Sequence, residues 1–235
     1  MPWTYAENIP QRFSEGTLLG EVTSATLTAL NSAWTVSHYE CGALILDDEE
    51  QTDDVFFLLL GHARAGTYAD AGREVMLVDL HRGDCFGEFS AIDGAPRSAR
   101  ITALQRCAVA RISAAEFRKL LRRRSDLSHA LHRLLVRKLR CLTRRISELH
   151  ILSAGERIRR EIFRLAELNS DTHGGALLAS PPTQADLAAF VFTNRESVAR
   201  EMGRMKRQGV LVREGRSLRV PSLRRLAEYA LGDNG

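Results

Sequence analysis

At Ser113 the texture of the chain changes from short apolar runs broken by glycine to one long stretch with helical spacing. Before that point Val55 to Leu60, Val75 to Leu80 and Ala108 to Ile112 are punctuated by Gly61, Gly66, Gly72, Gly83 and Gly94. Turn signals at this interval predict a β-barrel or sandwich. After it, Ser113 reads as an N-cap with Glu116 three residues later, and the spacing predicts a helical segment to about Leu152. The first forty residues carry a weaker helical pattern around Leu27, Leu30 and Trp34.

Within the helical stretch Leu135, Leu139, Leu142, Ile146 and Leu149 step by 4, 3, 4 and 3, a coiled-coil seam of about two heptads. Arg137, Lys138, Arg140, Arg144 and Arg145 flank it. A narrow seam with charged flanks suits pairing with a second copy better than packing on its own domain. Ser153 and Glu156 form a capping box that restarts a helix to about Leu168, with Ile158, Ile162, Phe163 and Leu165 as its core face. A polar loop with Gly174, Gly175, Pro181 and Pro182 follows, and the break at Ser153 marks a hinge. The expected organisation is therefore α+β: a β module over 1–116, a dimerisation helix over 117–152 and a third module over 153–235.

The charge divides in the same way. Residues 1–116 carry a net −9 and residues 117–235 a net +13, so an acidic module is joined to one that seeks polyanions, nucleic acid first among them. No uncharged apolar run reaches the roughly 20 residues of a membrane helix, and the N-terminus lacks a signal-peptide core, so a cytoplasmic protein is expected. Cys41, Cys85, Cys107 and Cys141 are scattered without a Cys-x-x-Cys pair, as reduced structural thiols are, and His129 and His132 sit on an Arg-rich face. Neither a metal site nor a covalent cofactor is expected. No Walker loop, His-Glu-x-x-His motif or nucleophile elbow is present, so no catalytic residue is assigned.

Phe86 to Ala99, FGEFSAIDGAPRSA, holds the chemistry for a sugar phosphate in one loop. Gly87 lets the main chain approach a ligand, Glu88 can accept from ribose hydroxyls, and Arg97 with Ser98 offers a planar charged fork beside a neutral donor. Pro96 stiffens the approach. The alternative is a surface turn closed by a Glu88 to Arg97 ion pair.

Thr183 to Val191 reads as a short capped helix and Asn194 to Met205 as a second, with barely a turn between, which is a helix-turn-helix. Val198, Met202 and Met205 recur at core spacing and leave Arg195, Glu196 and Arg200 on the other side. Arg can read guanine O6 and N7, and Glu accepts from cytosine N4. The alternative is a solvated face with a Glu196 to Arg200 pair. A basic hairpin around Glu214-Gly215, with Arg213, Arg216 and Arg219, reads as a wing near a phosphate backbone, and a final helix spans Leu223 to Ala230.

Nearly end to end, the chain resembles the cyclic AMP receptor protein and fumarate-nitrate regulator (Crp/Fnr) family of transcription factors. The resemblance implies a cyclic-nucleotide-binding β-barrel of double-stranded β-helix (jelly-roll) type, a long dimer helix and a C-terminal winged helix. It implies that Gly87, Glu88, Phe89 and Ser90 line the ribose and phosphate, that Arg97, Ser98 and Ala99 complete the phosphate cassette, and that Leu142 and Thr143 stand where the base is met. It places Thr183, Asn194, Arg195, Glu196, Ser197 and Arg200 in the DNA-binding set, with Arg195, Glu196 and Arg200 matching members that read TGTGA-type half-sites. It also implies a homodimer on palindromic double-stranded promoter DNA, contact with RNA polymerase, and a cyclic nucleotide effector, cyclic AMP first and cyclic GMP second. The competing reading within the family is a vestigial cassette that answers to redox state, gas or another metabolite.

Three positions depart from the family pattern. A Thr-Ser pair on the dimer helix is here Leu142-Thr143, which bears on base identity. The helix-turn-helix turn, which usually carries glycine, here has Phe192, and a non-glycine residue there costs about a kcal/mol. An early barrel glycine is replaced within the acidic run Asp47 to Glu50, read as a solvated loop.

Overall fold

In the computed structural model, residues 13–68 and 74–232 are described, and the chain divides into two compact units, 1–141 and 142–235. The predicted turn at Gly72 lies outside the described residues. The first unit opens with helix α1 (Ser24–Asn31), followed by strands β1 (Thr35–Tyr39), β2 (Leu44–Leu46), β3 (Val55–Leu60), β4 (Ala63–Tyr68), β5 (Glu74–Leu80) and β6 (Cys85–Phe86). Helix α2 (Glu88–Asp93), strands β7 (Arg100–Ala103) and β8 (Cys107–Ile112), and helices α3 (Ala114–Arg123) and α4 (Ser125–Ile151) follow.

The strands form two antiparallel sheets of order β1-β8-β3-β6 and β2-β7-β4-β5. They share no hydrogen-bonded strand among the described residues, so the expected barrel is an open jelly-roll sandwich. The edge strands β6 and β2 are two and three residues long, too short to carry the ladder across.

Strand β3 shows why the sandwich holds. Its sequence VFFLLL alternates between two cores, as a pleated strand with period 2 must. Phe56 and Leu58 face the layer between the sheets, with Phe86, Val109, Ile45, Leu80 and Ile101. Val55, Phe57 and Leu59 face outward against Leu30 of α1, Phe117 of α3 and Leu127, Leu131 and Leu134 of α4. Phe57 is fully buried, and a side chain of that size contributes about 2–3 kcal/mol by leaving water.

The long helical segment is broken once. Ser113 caps α3 by accepting from the Glu116 N–H, as expected, but Arg124 adopts an extended backbone (φ −126°, ψ 95°) and ends that helix. Phe117 and Leu120 before the break and Leu127, Leu131 and Leu134 after it pack into the same outer core. Along α4, Leu135 is half-buried against that core, while Leu139, Leu142, Ile146 and Leu149 of the seam are exposed.

The second unit contains α5 (Ala154–Leu168), β9 (Ala176–Leu178), α6 (Gln184–Phe190), α7 (Arg195–Arg207), β10 (Val212–Glu214), β11 (Ser217–Val220) and α8 (Leu223–Leu231). Capping boxes at Ser153/Glu156 and Thr183/Asp186 start α5 and α6. Ile158, Ile162, Leu187, Val198, Met205 and Leu226 meet in its core. Strand β9, inside what reads as a polar loop, joins the predicted hairpin in a three-stranded sheet of order β10-β11-β9. No helix among the described residues is long and apolar enough to cross a membrane.

Candidate ligand site and nucleic-acid interface

Gly87 follows β6 at φ +77°, a left-handed conformation that places the main chain against its neighbours. A Cβ there would stand 2.7 Å from Arg97 Nη1 and 2.8 Å from the Asp54 carbonyl oxygen, so only glycine fits. Arg97 is 6% exposed. Its Nη1 donates to Gly87 O at 2.9 Å, and its Nη2 donates to Thr52 Oγ1 and Asp54 O, both at 2.9 Å. The guanidinium also lies over the Phe56 ring at 5.7 Å. Its Nε is buried without a partner. Burial lowers the Arg97 pKa, opposed by Asp54, Asp53 and Glu50, yet arginine keeps its charge.

Glu88, at the start of α2, is 2% exposed and accepts from Lys138 Nζ at 2.6 Å. The possible Glu88 to Arg97 pair is thus not formed: each residue has its own partners. Ser90 is buried, Phe89 is exposed beneath Lys138 (5.2 Å), Ser98 is exposed, and Ala99 packs on the inter-sheet core. Leu142 and Thr143 are exposed on α4 and fall in the second unit. Asp47 and Asp48 lie in a partly exposed turn, as expected, and pair there with Arg100 at 2.8 and 3.5 Å. Sequence reasoning missed Lys138, whose signal was absorbed into the charged flank of the seam, and Thr52, which carries no motif.

In the second unit Asn194 caps α7 by accepting from the Ser197 N–H at 2.8 Å. Arg195, Glu196 and Arg200 are exposed along the helix. Arg200 donates to Ser197 Oγ at 2.9 Å rather than pairing with Glu196. Thr183 Oγ1 accepts from the Asp186 N–H, which fixes the start of α6. Between α7 and the hairpin lies a groove of about 620 Å³ lined by Thr183, Gln184, Arg195, Lys206, Arg213 and Arg216. Such a cationic channel suits a phosphodiester backbone. Arg219, expected among the wing cations, pairs with Glu214 at 2.5 Å, and that hydrogen bond raises its pKa. Phe192 takes φ +54°, so the turn keeps a left-handed residue although that residue is not glycine.

Comparison with known proteins agrees with this layout. The cyclic nucleotide-binding domain profile matches residues 36–124, and the Crp-like helix-turn-helix domain profile matches residues 156–229. The chain is 26% identical to the CRP-like cAMP-activated global transcriptional regulator of Mycobacterium tuberculosis, over 89% of this chain and 94% of that one. It is 27% identical to the cAMP-activated global transcriptional regulator Vfr of Pseudomonas aeruginosa, over 77% and 87%. In fold it is similar to a CooA variant from Carboxydothermus hydrogenoformans, with TM-score 0.76, 21% identity and coverage of 94% of this chain and 98% of that one. A cassette-bearing sandwich ahead of a winged helix-turn-helix thus meets matches to both domains in the same order, and the chain belongs to the Crp/Fnr family of DNA-binding transcription regulators.

Proposed function

We propose that the chain is a cytoplasmic homodimer that binds cyclic AMP at the Gly87 to Ala99 cassette and then reads palindromic promoter DNA through α7, in contact with RNA polymerase. The observation that carries the effector reading is Arg97: a guanidinium 6% exposed, with an unpartnered Nε, held against a glycine that leaves room for nothing larger than hydrogen. A buried donor without an acceptor is costly unless a ligand completes it, and a cyclic phosphate supplies that acceptor. Glu88 and Ser90 take the ribose side, with Phe89 beside them, and Ser98 flanks the phosphate. The relatives named as cAMP-activated support cyclic AMP over cyclic GMP.

The seam residues Leu142, Ile146 and Leu149, exposed on α4, support pairing with a second copy. Sensor, dimerisation helix and DNA-binding module then occupy 1–116, 117–152 and 153–235. Effector acts by preferring one arrangement of the dimer. Isothermal titration with cyclic AMP and cyclic GMP tests the effector: cyclic AMP binds wild type and fails to bind Arg97→Ala. Absence of heat with either nucleotide, or equal affinity in Arg97→Ala, overturns this reading.

A further inference from the structure

Phe192 is the only non-glycine residue with positive φ among the described residues, and it stands in the turn that sets α7 against α6. A left-handed backbone is strained for a side chain of this size, so something must hold it. The turn's own bonds are few: Val191 N–H donates to Leu187 O at 3.0 Å and Thr193 N–H to Ala188 O at 2.9 Å. The rest comes from one side chain on α5. Arg157 Nε donates to Val191 O at 3.0 Å and Nη2 to Phe192 O at 3.1 Å. Its third arm, Nη1, donates to Leu152 O at 2.7 Å, just beyond the end of α4.

Only a guanidinium offers a rigid fork of donors that can serve three carbonyls at once; a lysine amine in the same place is a single point. Nearby, the Arg145 guanidinium lies 4.0 Å from the Phe190 ring, so the last residue of α6 is also gripped from α4. We propose that Arg157 is a positioning residue for the recognition helix: it holds the glycine-less turn in its left-handed conformation and ties that turn to the end of α4. Where a glycine turn would keep its shape unaided, this one depends on its clamp, and the start of α7 is held to the α4–α5 junction at Leu152 through three hydrogen bonds.

The inference rests on reading α7 as the DNA-contacting helix, but its decisive measurement needs no DNA. Amide hydrogen exchange on the full-length protein compares wild type, Arg157→Lys, Phe192→Gly and the double variant. Arg157→Lys is expected to speed exchange at Val191 and Thr193 at least tenfold while Met202 and Met205 amides stay within threefold of wild type. In the Phe192→Gly background the same substitution should speed those two amides less than threefold, because the strain it restrains is gone. A duplex carrying TGTGA and its inverted repeat should bind Arg157→Lys about tenfold more weakly, with cyclic AMP titration unchanged. Unchanged turn amides in Arg157→Lys overturn the clamp. So does a rise that spreads equally to Met202 and Met205, or one that is the same with Gly in the turn. If wild type ignores the duplex while the exchange pattern is as expected, the operator reading fails and the clamp stands.

Discussion

Glu88 and Lys138 meet at 2.6 Å across α2 and α4, and the carboxylate is the more buried partner, 2% exposed against 27% for the lysine side chain. Removing the amine leaves a charge buried without a partner, which costs more than the pair contributes. Lys138→Met should lower the unfolding free energy by about 2–3 kcal/mol in urea titrations. Combining it with Glu88→Gln should recover most of that loss, since the amide carries no charge. Losses that simply add would show that the two residues are not coupled, against a coupling of more than about 1 kcal/mol expected here.

Two glycines with nearly the same backbone separate crowding from strain. Gly87 has φ +77° and its added Cβ would press on Arg97 Nη1 and Asp54 O, whereas Gly42 has φ +83° and open space. Gly42→Ala should cost only the left-handed penalty, about 1–2 kcal/mol. Gly87→Ala should cost at least about 1 kcal/mol more and displace the Arg97 side chain, abolishing nucleotide binding with it. Thermal melts of the two variants side by side, with cyclic AMP titration of each, check this. Equal destabilisation would mean that the cradle around Gly87 is looser than its distances imply.

Asp126 ties the start of α4 to the start of α1. Partial burial works to raise its pKa, but the Thr23 N–H and hydroxyl and the Thr26 hydroxyl all donate to it and outweigh burial, leaving it at about 2 against an ordinary 3.8. A carboxylate whose folded pKa is depressed adds stability that is complete above its unfolded pKa and lost as pH falls through the folded one. The window is therefore about pH 4 down to about 2. Asp126→Asn should be less stable than wild type by about 1–2 kcal/mol at pH 7, with the gap closing on acidification through that window. A gap that persists unchanged at pH 2 would assign the loss to packing instead.

How far the sequence reaches depends on whether a feature is local. The capping boxes at Ser153 and Thr183 and the hairpin around Glu214-Gly215 are set by residues a few positions apart, and each is found where the spacing puts it. The partners of the cassette are not local. Lys138 lies fifty residues from Glu88 and Thr52 forty-five from Arg97, so both charged groups could be recognised as chemistry while their contacts could not. The break at Arg124 is invisible because no glycine or proline marks it and the apolar spacing runs through it unchanged. Strand β9 hides because only three residues, Ala176–Leu178, are needed to pair with β11.

The second unit carries cations of two placements, on the exposed face of α7 and in the groove beside the hairpin. Arg200 and Glu196 stand exposed on α7, whereas Arg213 and Arg216 line the groove beside the wing. A bidentate base contact is worth about 1–3 kcal/mol of discrimination, and a phosphate contact affects all sequences alike. Arg200→Ala should therefore flatten the preference for a TGTGA half-site by about 1–3 kcal/mol, with little change in the salt dependence beyond its own charge. Arg213→Ala and Arg216→Ala should weaken binding to matched and mismatched duplexes equally, each reducing the slope of log K against log salt by about 1. Arg219→Ala should do less, because Glu214 already holds that guanidinium at 2.5 Å. Fluorescence anisotropy across a salt series, on one matched and one scrambled duplex, distinguishes the three classes. A loss of specificity in the wing variants with Arg200→Ala unaffected would reverse the assignment, moving base recognition from α7 to the hairpin.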